Sequence, residues 1–244
     1  MSFFQVQRLT KIYGKVKAVN DVSFSVEQGE FVGIIGPNGA GKTTLFHVIS
    51  GMQKATSGTV HFKGKEITGK APHLIVREGL TRTFQVPRPF QELTVYENLE
   101  IVHSSKPHAE ERSTRLDRIV EQVGLSKSVN QLAGNLPQGD LRRLELARAL
   151  ATSPDLLLLD EPFAGLNAGE IEGLAELLLR MHKQGITIII IEHKLKELMK
   201  MVKRVLAIQF GELIADDIPQ HVVNNERVLK AYLGDRSWDF AYNQ

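Results

Sequence analysis

Gly36-Pro37-Asn38-Gly39-Ala40-Gly41-Lys42-Thr43-Thr44 follows directly on the apolar run Phe31-Val32-Gly33-Ile34-Ile35. The pattern is G-x-x-x-x-G-K-[ST], set between a buried strand and a helix expected over Thr44 to Ser50. Its glycines allow the backbone to wrap closely around an anion, so successive N–H groups and the start of the helix face phosphate. In that arrangement Lys42 meets the β- and γ-phosphates of a nucleoside triphosphate and the Thr43 hydroxyl ligates Mg²⁺.

Outward from this loop, the chain is long enough for one α/β core with an inserted or appended subdomain, at 244 residues. A hydrophobic content of 42% with 24% charged residues is ordinary for a globular protein and excludes a fibrous or mainly disordered chain. The formal net charge of +2 is too small to argue for nucleic-acid binding, and the absence of cysteine excludes disulfides and thiol chemistry. No apolar leader region opens the chain, and no run approaches the length of a membrane span. A soluble chain is expected, with any membrane role exerted through a partner.

Phe4 to Leu9 and Val22 to Val26 alternate apolar and polar residues, as half-exposed antiparallel strands do. Tyr13 lies between them, before the turn residue Gly14. There it either stacks on a purine ring or packs against the sheet. A short strand is expected over Thr59 to Phe62. In Arg82-Thr83-Phe84-Gln85-Val86-Pro87-Arg88-Pro89-Phe90 the prolines stop regular structure, which leaves Gln85 where a strand gives way to a loop, either touching a metal or water or simply solvated. Thr94 with Glu97 forms a capping box, His103 to Glu111 is a polar connection, and Glu111 to Val123 has helical spacing ended by Gly124. About 83–151 is therefore assigned to a mostly helical subdomain within one domain spanning 1–244.

Leu156-Leu157-Leu158-Leu159-Asp160-Glu161 is an apolar strand that ends in two acids, at the sheet edge where such folds bind ligands. Asp160 suits Mg²⁺, directly or through water, and Glu161 suits a water-orienting base. A second buried strand, Gly185 to Ile191, ends in Glu192-His193; a histidine there reaches a γ-phosphate or serves only the structure. Ile171, Leu174, Ala175, Leu178 and Leu179 form the apolar face of a helix between the two strands. Alternation returns from Val205 to Ala215. Residues 216–219 form a turn, a helical run follows to Tyr232, and the aromatic tail Trp238 to Tyr242 docks or frays.

Taken in order, these residues resemble the ATP-binding cassette ATPases from about Phe3 to Gly234. The resemblance implies an α/β P-loop NTPase core with an antiparallel β subdomain and the inserted helical subdomain. It assigns Tyr13 to adenine stacking, Gly36, Pro37, Asn38, Gly39, Ala40, Gly41, Lys42, Thr43 and Thr44 to ATP, and Thr43, Gln85 and Asp160 to Mg²⁺. It makes Glu161 the catalytic glutamate and His193 the switch histidine, with Lys42 and Gln85 also in the catalytic set. The family signature usually reads Leu-Ser-Gly-Gly-Gln and closes over ATP held by the opposite subunit; here it is Leu136-Pro137-Gln138-Gly139-Asp140. Pro137 removes the hydroxyl and one N–H, leaving the Gly139 N–H and the helix dipole for that contact. Asn167 replaces the usual Asp of the D-loop Ala164-Gly165-Leu166-Asn167.

Arg82-Thr83-Phe84-Gln85, Leu93 to Leu99, Ile191-Glu192-His193 and the ending Ala231-Tyr232-Leu233-Gly234 are similar to the ATPase subunits of branched-chain and hydrophobic amino-acid importers. Amide or urea importers and lipopolysaccharide-export ATPases share part of this pattern. The resemblance implies a head-to-tail pair with a second copy or a paralogue, a membrane permease partner and a place on the cytoplasmic face of the membrane. No nucleic acid is expected. A DNA- or ribosome-acting cassette protein would bring a second cassette or a coiled-coil insertion, and a GTPase an Asn-Lys-x-Asp motif; the chain has neither.

Overall fold

Strands buried on both faces are built mainly from apolar residues, and three five-residue strands here are buried throughout: Phe31–Ile35, Leu156–Asp160 and Thr187–Ile191. The computed structural model describes residues 2–102 and 112–233. The polar connection at 103–111, Gly234 and the aromatic tail lie outside the described residues. In chain order the elements are β1 (Phe4–Tyr13), β2 (Val16–Val26), β3 (Phe31–Ile35), α1 (Lys42–Ile49), β4 (Ser57–Phe62), β5 (Lys65–Glu66), α2 (Pro72–Glu78), β6 (Leu80–Arg82), α3 (Val95–Val102), α4 (Arg112–Val123), α5 (Gln138–Ala151), β7 (Leu156–Asp160), α6 (Ala168–Lys183), β8 (Thr187–Ile191), α7 (Leu195–Met201), β9 (Arg204–Gln209), β10 (Glu212–Asp217), α8 (Pro219–Val223) and α9 (Glu226–Leu233).

The chain divides into two compact units. One runs to Lys70 and resumes at Ile189; the other is Ala71–Ile188. In the first, β2, β1, β4 and β5 form an antiparallel sheet in that order, with Phe4 opposite both Val26 and Phe62. That register stacks Phe4 against Phe24 and Phe62, at 6.1 and 6.5 Å between ring centroids, so the alternation seen in the sequence becomes one apolar face. Also in this unit, β3 pairs in parallel with β9, which returns as a hairpin into β10. Strand β10 continues to Asp217 and α8 begins at Pro219, so Asp216 and Asp217 belong to the strand and not to the expected turn.

In the second unit β6 runs parallel to β7, with Arg82 beside Leu158. Helix α4 buries Leu116, Ile119, Val120 and Val123, the positions its spacing marked, and Gly124 ends it at φ 78°. Arg143 of α5 donates to the Val123 carbonyl at 2.8 Å, satisfying one of the acceptors that the end of α4 leaves open. The Thr94–Glu97 capping box forms: the Thr94 N–H donates to Glu97 and the Glu97 N–H donates back to Thr94 Oγ1. On α6 the buried positions are Ile171, Leu174, Leu177, Leu178 and Met181, so the apolar face is rotated past Ala175 and Leu179. Helices α2 and α7, of seven residues each, are too short for their periodicity to mark them in the sequence.

Asn98, on α3, is the polar anchor of this unit. It is 0% exposed, donates to the carbonyls of Phe90, Leu93 and Thr94 at 2.9–3.2 Å and accepts the Phe90 N–H at 2.9 Å. One amide thus touches four backbone groups in an irregular loop, its two N–H donors shared among three carbonyls that also accept backbone N–H groups. Asn98→Ala should take the side-chain acceptor from the Phe90 N–H and the second donor from carbonyls that keep a backbone partner, lowering unfolding free energy by about 2 kcal/mol, read from urea denaturation.

Candidate functional site

The phosphate loop belongs to the first unit, and local sterics dictate its path. Strand β3 ends in Gly36 at φ 151°, where a Cβ would lie 2.1 Å from the Ile208 carbonyl oxygen; at Gly41, φ 103°, it would lie 2.0 Å from that of Ala18. No other residue fits at either position. The turn between β9 and β10 braces the loop from outside. There the Gly211 N–H donates to the Ala40 carbonyl at 2.8 Å, while the Gly211 carbonyl accepts the Asn20 N–H at 2.8 Å. Tyr232 of α9 hydrogen-bonds the Gly36 backbone, and burial pushes its phenol above the ordinary value. The chain ending singled out in the sequence thereby acquires a physical task.

Lys42 is only 5% exposed, and its ammonium donates to the Gly36 and Pro37 carbonyls at 2.7 and 3.0 Å, closing the loop on itself. Helix α1 starts at Lys42, two residues before the expected Thr44. Its first turn has no side-chain cap and no acidic residue. The positive end of the helix therefore suits an anion, with Thr43 and Thr44 in that same turn. Tyr13, at the end of β1, is partly exposed, at 43%, with the Lys11 ammonium over its ring, 4.8 Å from the centroid. His193 is exposed, and its backbone N–H and that of Lys194 donate to the buried Glu192 carboxylate at 2.9 and 3.2 Å.

The acids belong to the second unit. Asp160 is 0% exposed and accepts from the Arg82 guanidinium at 2.7 Å, and Arg82 is itself almost fully covered. Burial lowers the Arg82 pKa, while the charge and hydrogen bond of Asp160 raise it. Glu161 follows at φ 50°, a left-handed conformation uncommon outside glycine, and its carboxylate accepts from Gln85 Nε2 at 2.8 Å. The structure thus brings Gln85 and Glu161 together although they lie 76 positions apart. Gly139 lies in the first turn of α5, where the N-cap Pro137 makes no side-chain hydrogen bond and Asp140 supplies an acid. A Cβ at Gly139 would come 2.7 Å from the Glu170 carboxylate. Asn167 caps α6 in a reciprocal box with Glu170, so its side-chain oxygen is used within the unit.

Thr43, Gln85 and Asp160 offer a hydroxyl, an amide oxygen and a carboxylate, all hard oxygen donors. Each is a donor of the kind that Mg²⁺ takes, Thr43 in the first unit and Gln85 and Asp160 in the second. Among the described residues no group of three or more His, Cys, Asp or Glu could cage a metal. Sequence reasoning missed Arg82 as the partner of Asp160; an arginine ending a strand gives no sign of which acid it meets.

Residues 19–164 match the family model described as ABC transporter, and residues 212–237 match that for branched-chain amino acid ATP-binding cassette transporter. The high-affinity branched-chain amino acid transport ATP-binding protein BraF of Pseudomonas aeruginosa is 38% identical over 95% of this chain and 97% of its own. The corresponding LivG of Salmonella typhimurium is 39% identical over 94% and 97%. A crystal structure of a nucleotide-free ATP-binding cassette from an ABC transporter superposes with a TM-score of 0.88 at 33% identity, over 96% of this chain and 100% of that one. A dimeric ADP- and phosphate-bound cassette gives a TM-score of 0.77 at 25% identity, over 88% and 98%.

Arg82→Met should strand the Asp160 charge and lower unfolding free energy by about 3–5 kcal/mol, whereas the double variant Arg82→Met/Asp160→Leu should recover part of that loss. Paired urea melts of the two variants test this.

Proposed function

The chain belongs to the ABC transporter family of ATP-binding proteins, and from that we propose that it is the ATP-hydrolysing subunit of a membrane importer for branched-chain or other hydrophobic amino acids. The match of residues 212–237 to the branched-chain cassette model and the names of the relatives support the substrate class. The observation that carries the chemistry is the hydrogen bond from Gln85 to Glu161, which places a carboxylate and an amide together just beyond Asp160.

In this reading Lys42 and the amides of residues 36–44 stabilise negative charge on the β- and γ-phosphates, and Tyr13 stacks on adenine. Thr43, Asp160 and Gln85 hold Mg²⁺, which when bound neutralises charge on the phosphate oxygens. Glu161 orients water in line with the γ-phosphorus and takes its proton, while His193 hydrogen-bonds the γ-phosphate. The segment 83–151 serves as the inserted helical subdomain. Gly139 and the start of α5 meet ATP bound by a second copy or a paralogous subunit, with Asp140 and Pro137 making that contact weaker than the usual signature does. The known dimeric cassettes support such a pair.

Among the described residues no helix is long and apolar enough to cross a membrane, so transport requires a separate permease. Val86 and Phe90, 67% and 45% exposed in the loop after Gln85, are the proposed contacts to it on the cytoplasmic face.

Glu161→Gln should bind MgATP with affinity near that of the parent while its steady-state hydrolysis falls by about 100-fold or more. Undiminished phosphate release would remove Glu161 from the role. Co-purification with a permease, and ATPase stimulation by the amino-acid-loaded complex, test the transport assignment.

A further inference from the structure

Arg142 on α5 is 3% exposed, yet its guanidinium is directed away from its own helix backbone. Nη2 donates to the carbonyls of Gln85 at 2.7 Å and Ala164 at 3.3 Å, and Nη1 donates to that of Phe84 at 3.2 Å. Glu145, one turn along, lies 3.5 Å from Nη1 and accepts the Phe84 N–H at 2.5 Å. The Phe84 residue is therefore gripped at both of its polar groups by one face of α5. On the other side, the Ala164 N–H donates to the Glu161 carbonyl at 3.1 Å, so Ala164 closes the tight turn that starts at Glu161.

These bonds make a closed circuit. The side chains of Gln85 and Glu161 meet at 2.8 Å, and one guanidinium bonds the Gln85 carbonyl directly and reaches Glu161 through Ala164, whose N–H donates to the Glu161 carbonyl. A planar fork of five donors can hold carbonyls from two loops at once; an ammonium acts as a single point. Burial raises the Glu145 carboxyl pKa, while the Phe84 N–H and the charges of Arg142 and Arg148 lower it, so the anchor is itself held by a compact polar network.

We propose that Arg142, seated by Glu145, is a positioning residue that fixes the distance and orientation of Gln85 relative to Glu161 and ties both loops to the helix that begins at the signature. The proposal rests on the assignment of Glu161 as the water-orienting base. A movement of α5 then displaces both loops together, and through them the geometry of water attack. No motif marks this role, because Arg142 acts on backbone carbonyls of two segments 57 and 22 residues distant in sequence.

The test compares Arg142→Met, Arg142→Lys and Glu161→Gln in the full chain. Arg142→Met should lower kcat by about 10- to 100-fold, with KM for MgATP within about twofold of the parent, since misplacement of a reacting group affects the transition state more than binding. Arg142→Lys should recover only part of kcat. Hydrogen exchange should show the Phe84 amide losing protection while the amides of Leu144 to Ala151 keep theirs. Should Arg142→Met fail to fold, Arg142→Lys carries the test alone: a reduced kcat with KM held supports the proposal, and full kcat overturns it. Loss of protection along all of α5 also overturns it, since Arg142 would then serve only the helix. Glu161→Gln separates the two failures. If it still hydrolyses ATP, the assignment of Glu161 falls and this proposal with it; if it is inactive while Arg142→Lys keeps full kcat, this proposal alone falls.

Discussion

A carboxylate removed from water must be met by a cation fixed opposite it, and the second unit is built around that requirement at Asp160. Every residue of β7 is buried, so its terminal aspartate has no solvent to ionise into. The parallel pairing of β6 with β7 delivers Arg82 to it, and the Thr83 N–H extends the pairing by one bond to the Leu158 carbonyl at 2.9 Å. Where that ladder stops, two segments are released next to each other: one reaches Gln85 two residues later, the other reaches Glu161 immediately. The ion pair thus sets the strand ends, and the strand ends set where the amide and the carboxylate meet.

Two helix starts in this chain treat the same electrostatic feature in opposite ways. The first turn of α1 carries no acid and no side-chain cap, so nothing there offsets the positive end of the helix. The first turn of α5 contains Asp140, which already offsets the helix dipole. The two starts differ in the charge they present: the one at Lys42 offers an uncompensated positive end, the one at Gly139 a partly neutralised one.

Much of this was legible in local sequence because local physics governs it. The phosphate loop has one spacing that works, since Gly36 and Gly41 sit where carbonyls of Ile208 and Ala18 leave no room for a Cβ. The Thr94–Glu97 cap involves residues three apart, and the core face of α4 follows its period. What escaped was nonlocal or nonperiodic. Asn98 looks like any polar helix residue until four backbone groups of the preceding loop converge on it. Asn167, read in the sequence only as the D-loop residue that replaces Asp, also caps α6 through its side-chain oxygen. The face of α6 was off by part of a turn because Ala175 and Leu177 both fit an apolar stripe, and only packing selects between them.

The sequence by itself determined the chemistry available: a lysine in a glycine loop, paired acids after a buried strand, and a glutamine where prolines end regular structure. Spacing along the chain is enough for these because each depends on neighbours within a few residues. Only the tertiary structure decided which of them meet. Gln85 faces Glu161, Arg82 neutralises Asp160, and Arg142 holds two loops, each through contacts between segments far apart in the chain. Hydrogen bonds and ion pairs of that kind depend on distances of about 3 Å that strand register and helix packing fix, and residue type alone cannot encode them.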